Sequence, residues 1–131
     1  MYGSGWELCI RLSLWMSLPL NLGAAYVLST PDSWPGALLG LPADTHIVYR
    51  AMSAMLVGLL GIAYGWLALQ AQLHRPLLAL GATSKAAVFG IALGLWSTER
   101  TTQPLLWAGL VDLALANLWF IWLRTSRRQS A

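Results

Sequence analysis

The stretch IVYRAMSAMLVGLLGIAYGWLALQA, residues 47–71, decides the fold. Arg50 is its only charged residue, and no proline interrupts it. At about 1.5 Å per residue, a helix of this length exceeds the roughly 30 Å hydrocarbon core of a bilayer. Similar runs lie on both sides. One extends from Trp6 to Leu28 and ends in STPDSWPG, residues 29–36, a segment dense in turn formers. After the polar Gln72-Leu73-His74-Arg75, Pro76 opens a run that reaches Trp96. Proline's missing N–H costs nothing at a helix start. The polar turn STERTTQ, residues 97–103, leads to Pro104 and a last run that stops at Leu123 before a basic tail. Hydrocarbon offers backbone groups no hydrogen bonds, so these runs must be helices, and the strict alternation of membrane strands is absent. The pattern predicts an all-α membrane protein with a single domain over residues 1–131, a four-helix transmembrane bundle at about 6–28, 47–71, 76–96 and 104–123.

Composition agrees. Of the 131 residues 57% are apolar and 10% charged, with a mean hydropathy of +0.60. Soluble domains carry about a quarter charged residues, so this chain cannot dress a water-facing surface. The pI of about 9.5 reads as membrane topology, because no basic patch with interleaved polar structure exists and no nucleic-acid partner is expected. Arg11, Arg75, Arg124, Arg127 and Arg128 fall on one side, Arg50 and Arg100 on the other beside Asp32, Asp44 and Glu99. That asymmetry predicts both termini in the cytoplasm. Trp6, Trp66, Trp119 and Trp122 would then mark the cytoplasmic interface and Trp34, Trp96 and Trp107 the outer one, with Trp15 near mid-depth. Leu22-Gly23-Ala24 before Ala25 resembles a signal-cleavage site, but Glu7, Arg11, Pro19 and Asn21 spoil the leader pattern and the first run is expected to stay.

Cys9 is the only cysteine, which excludes an intrachain disulfide or dithiol redox motif. His46 and His74 belong to opposite loops and cannot share a haem iron, and no metal-ligand spacing occurs; no cofactor is expected.

The candidate site residues are the polar ones within the runs: Asn21, Arg50, Tyr64, Lys85 and Asp112. A charge near mid-bilayer costs at least about 2.5 kcal/mol, so such groups face inward and find partners. Lys85 lies about 14 Å from the start of its run and Asp112 about 12 Å from the start of the next, at 1.5 Å per residue. On antiparallel neighbours in a core of roughly 30 Å, those depths nearly coincide, and an ion pair buries both. Glu7, Arg11, Ser17 and Asn21 share one stripe of the first helix; Arg50 and Tyr64 share a face of the second. Glu7 and Arg11 are expected mainly to neutralise each other. Pro19 removes a backbone bond just before Asn21, and Asn117 points away from the Asp112 face. Gly61/Gly65 and Gly90/Gly94 are both small-residue patches expected to mark close helix contacts.

For each residue a structural role stands beside a functional one. Lys85 and Asp112 either lock two helices or form a proton or ligand site. Arg50 is either an anchor bonded to Asp44 or lipid headgroups, or a clamp for an anionic head. Tyr64 and Asn21 are expected to bond within the bundle.

The layout resembles the DoxX-like group of small four-helix bacterial membrane proteins. The resemblance is carried by Asn21-Leu22-Gly23, Leu39-Gly40-Leu41-Pro42, Tyr49-Arg50, Gly61-Ile62-Ala63-Tyr64, Lys85 and Asp112. It implies a multi-pass protein of the bacterial inner membrane, in a group of which some members are linked to quinone-dependent oxidoreductase complexes. A second four-helix family, the membrane glutathione-transferase-like proteins, would want an Arg-rich stretch bearing Asn and Glu in one helix, which is absent. Three functions stay open. The first is an accessory or assembly subunit of a larger membrane complex, partnered by other membrane subunits or by copies of itself. The second is a bundle that binds or converts a lipophilic, quinone-like small molecule at Arg50, Lys85 and Asp112. The third is an oligomeric proton-linked carrier. Whether any of these is enzymatic, the sequence leaves open.

Overall fold

The structure, a computed structural model, describes residues 5–128, with side chains through Ser126. Its elements are α1 (Gly5–Ser29), α2 (Trp34–Leu38), α3 (Ile47–Leu69), α4 (Arg75–Ser97) and α5 (Gln103–Arg128). Four of them are long and apolar enough to cross a bilayer, and the chain is a multi-pass membrane protein built as an all-α four-helix bundle. The arginine side chains at 127 and 128, on which the orientation reading partly rests, lie outside the described residues.

Local chemistry sets the helix ends. The His46 imidazole accepts from the Val48 N–H at the start of α3, and His74 accepts from Leu77 at the start of α4. The capping side chains take up orphan donors, and Pro76 occupies a first-turn position where its missing N–H is harmless. α2 is a short helix that the run of turn formers hid: Ser33 caps it by accepting from Gly36, and Pro35 sits in its first turn. Gly40 follows with φ +69°, a left-handed conformation that favours glycine, and places Leu39 and Leu41 over the end of the bundle.

Two observed boundaries differ from the sequence reading for a physical reason. α3 stops at Leu69 rather than residue 71 because Gln70 turns extended, and Arg11 of α1 holds the carbonyls at that turn: Nη1 donates to Ala68 O at 2.8 Å and Gln70 O at 2.6 Å, Nη2 to Ala71 O at 3.1 Å. Arg11 does pair with Glu7 at 2.7 Å, but mutual neutralisation was too small a role for it; the guanidinium caps α3. α5 continues past Leu123 to Arg128, because Arg75 donates to the Leu123 carbonyl and Ser126 hydroxyl and stacks over Trp122 at 5.5 Å. Helical pairing here outlasts the apolar run.

The helices associate as two pairs, α1 along α3 and α4 along α5. Within the first pair Gly61 lies so close to Asn21 that an added Cβ would come within 2.8 Å of the Asn21 Cβ. Gly65 meets Leu18 in the same way at 3.2 Å. The second patch does not behave as expected. Gly90 and Gly94 have nothing within 4 Å, and the close approach of α4 to α5 is made by Gly109 against Ala92 and Phe89, each 3.3 Å from its Cβ position. A two-glycine spacing marks a surface that permits contact; it does not say that a neighbour is there.

The pairs join at the end that carries the two chain termini. Ile10 and Leu14 of α1, Tyr64, Leu67 and Ala68 of α3, Leu78 and Ala82 of α4 and Trp119 of α5 form one buried cluster there. Trp119 is fully buried, which corrects its placement in an interfacial belt. Its indole N–H donates to Ser13 Oγ at 2.7 Å, so the ring's polar edge is satisfied inside the bundle. Toward the other end, beneath α2, the pairs diverge.

Candidate functional site

The polar groups of the bundle interior form one chain across all four long helices. Lys85 Nζ of α4 donates to Asp112 Oδ1 of α5 at 2.6 Å and to Asn21 Oδ1 of α1 at 3.4 Å. Asn21 Nδ2 in turn donates to the Val57 carbonyl of α3 at 3.2 Å. The ammonium also lies over the rings of Tyr64, 5.3 Å away, and Trp119, 5.9 Å away. Those two rings meet edge to face at 5.2 Å. Lys85 is 3% exposed, so almost nothing but these partners replaces its water. Only a group with both a counter-ion and several acceptors keeps its charge at such a place.

Equal depth on antiparallel neighbours brought Lys85 to Asp112, as the residue count from Pro76 and Pro104 predicted. The count could not place Asn21, whose position against Lys85 depends on how the α1/α3 pair sits beside α4/α5. Tyr64 stands directly beneath: it is buried, and its hydroxyl donates to the Gly81 carbonyl at 3.5 Å. Gly81 admits the ring, since a Cβ there would lie 2.7 Å from Tyr64 Cε1.

Above this cluster, between the diverging pairs, lies a cavity of about 340 Å³. Leu20, Val27, Leu60, Val88 and Leu105 are among its walls, Leu39 and Leu41 roof it, and Asn21, Tyr64, Ser84, Lys85 and Asp112 supply its polar floor. The volume falls at the lower end of the roughly 300–1,000 Å³ typical of small-molecule sites, which are likewise apolar with a few placed polar groups. The Asp112 side chain is 25% exposed. Its Oδ1 is taken by Lys85, Oδ2 accepts from no donor among the described residues, and the residue lines the cavity.

Arg50 is not part of this floor. Its Nε donates to Thr45 O at 2.8 Å, a terminal nitrogen to Ala43 O, and Nη1 lies 3.7 Å from Asp32 Oδ1. The partner acid is thus Asp32 rather than Asp44, and the guanidinium ties the segment after α2 to the start of α3. Sequence reasoning missed the acidic partner because Asp32 is eighteen positions from Arg50, while Asp44 is six. Nothing in the local spacing announces which of two loop acids folds back. It also missed Ser13, and it put Ser17 on the stripe of Asn21 without a partner: both are buried, Ser17 bonding back to the Ser13 carbonyl at 2.9 Å and Ser13 receiving Trp119. Their i, i+4 spacing on the face of Asn21 was the available signal. Asn117 is exposed, away from the Asp112 face as its spacing required.

Comparison of the chain with protein-family models, with curated proteins and with solved structures finds no match.

Proposed function

We propose that this protein binds a lipophilic small molecule inside the bilayer, in the cavity between the two helix pairs, with the Asn21–Lys85–Asp112 cluster at the head of the ligand. One observation carries the proposal: a cavity of about 340 Å³, walled by aliphatic side chains, ends on the bundle's buried ion pair. A purely structural pair would be expected inside solid packing, as at the opposite end of the bundle, where buried groups are closed off by Trp119, Leu78 and Leu14. Here the carboxylate instead faces a space open enough to admit a guest. The gap between the pairs gives a molecule dissolved in the membrane a lateral way in, with no need to cross water.

The quinone-like reading of the sequence is thereby kept in its general form, a lipophilic guest, while Arg50 leaves the list of groups that would hold it. Placement in a bacterial inner membrane, with both termini cytoplasmic and the cavity toward the outer leaflet, belongs to the same proposal. It is supported by the basic asymmetry of the chain and by the DoxX-like layout of Asn21, Tyr49-Arg50, Lys85 and Asp112. The accessory-subunit reading, which rests on small size and short loops, does not call for a cavity. A proton-linked carrier would require oligomerisation of the four-helix unit, for which this cavity supplies no argument.

The test is native mass spectrometry of the protein extracted in mild detergent. The wild type is expected to carry a small lipophilic adduct, and Ala108→Trp, which fills the cavity from α5, to lose it. Ala114→Trp, on the exposed side of the same helix, should keep it. Equal adducts in all of these proteins would overturn the proposal.

A further inference from the structure

Resting on that cavity reading, we infer that the ligand's head is an uncharged hydroxyl, so that the molecule bound is a lipophilic alcohol or phenol rather than a quinone, an amine or a fatty acid. The inference comes from counting which hydrogen-bonding positions the floor has left. Lys85 has three ammonium protons. Asp112 Oδ1 takes one at 2.6 Å, Asn21 Oδ1 one at 3.4 Å, and the faces of Tyr64 and Trp119 occupy the remaining direction. The lysine therefore has no proton to give a guest. Tyr64 spends its O–H on the Gly81 carbonyl, and Ser84 spends its own on the Leu80 carbonyl at 2.9 Å. Asn21 has committed its oxygen and one amide hydrogen, the latter to Val57.

Two positions are left at the centre: the carboxylate oxygen Oδ2 of Asp112, a strong acceptor, and the second amide hydrogen of Asn21, a donor. Both residues bond the same ammonium and line the same cavity, so one small head can address both. A hydroxyl fits such a pair because it donates and accepts at once. A carbonyl head has only lone pairs and leaves the carboxylate unmet, while an ether does the same. Charge narrows the choice further. The floor is neutral as Lys85 with Asp112, so an ammonium head would add a second cation beside Lys85, and a carboxylate head a second anion beside Asp112. Either leaves an uncompensated charge within the hydrocarbon.

The experiment uses a series with one apolar body and different heads: para-octylphenol, para-octylanisole, para-octylbenzylamine and para-octylbenzoate. Binding to the full chain in nanodiscs is measured by equilibrium dialysis, with protein-free nanodiscs subtracted for partition into lipid. The phenol is expected to saturate at one per chain, with the anisole weaker by about tenfold or more, the loss of one hydrogen bond to a charged group. The amine and the benzoate should bind no better than the anisole. In Lys85→Met/Asp112→Leu, which removes the floor without leaving a lone charge, phenol and anisole should bind alike; should that variant fail to fold, the wild-type series decides alone. Anisole, amine or benzoate binding as tightly as phenol overturns the hydroxyl assignment and leaves the cavity reading standing. Binding of none of the four overturns both.

Discussion

Lys85 is held by an ion, an amide and two aromatic faces, and each contributes for a different reason. The aspartate neutralises it, Asn21 takes a second proton, and the rings offer their negative faces where no further oxygen exists. Removing one member of such a pair strands the other. Lys85→Met or Asp112→Leu alone should cost about 3–5 kcal/mol, and the double replacement should recover much of the loss. Thermal denaturation in detergent measures this, and additive losses in the double would contradict the contact. Arg50 makes a second prediction at this scale. Its Nε and terminal nitrogens diverge toward Thr45 O, Ala43 O and Asp32, a fan that lysine's single ammonium cannot reproduce. Arg50→Lys should leave the helical circular dichroism unchanged and raise proteolytic cutting between residues 39 and 46. Unchanged proteolysis would mean that the clamp does not hold this loop.

Helices in lipid gain nothing from burying apolar surface against one another, so association depends on how closely they fit. The α1/α3 pair uses Gly61 and Gly65, the α4/α5 pair Gly109, while Gly90 and Gly94 of α4 face no other group. Substitution separates the two kinds of glycine. Gly61→Ala sets a methyl 2.8 Å from the Asn21 Cβ, forces the helices apart and should lower the melting temperature. Gly90→Ala meets open space and should be neutral or stabilising by about 0.5–1 kcal/mol, from the lower backbone entropy of alanine in a helix. If both variants lose stability equally, the pairing of α1 with α3 is wrong. Arg11 works on the same scale. Arg11→Met deprives the carbonyls of Ala68, Gln70 and Ala71 of their donor and should fray the end of α3, seen as faster amide exchange confined to residues 66–71.

Across the whole molecule, packing is uneven: closed at the terminal end by the Trp119 cluster, divided beneath α2. Four crossings put both termini on one side, and the excess of arginine there predicts that side to be cytoplasmic. A reporter that works only in the cytoplasm should be active when fused after Ala131 and silent when inserted near Asp44; the reverse outcome would invert the bundle and the leaflet from which a ligand enters.

Much of this architecture was legible without coordinates. Run length against bilayer thickness required four helices, the prolines at 76 and 104 set where two of them begin, and similar depth from those starts pointed to an ion pair of Lys85 with Asp112. Each follows from the rise of a helix and the cost of charge in hydrocarbon, quantities that act along one helix or between two neighbours. The tertiary structure alone decided what depends on the rotation and tilt of helix against helix. That Asn21 completes the lysine's shell, that Trp119 points inward to Ser13, and that Gly90 and Gly94 face nothing are facts of this kind. The cavity is another, since a void is a property of the space between pairs and no residue encodes it singly. Arg50 and Arg11 belong there too, because a long side chain takes whichever carbonyls the fold brings within its reach.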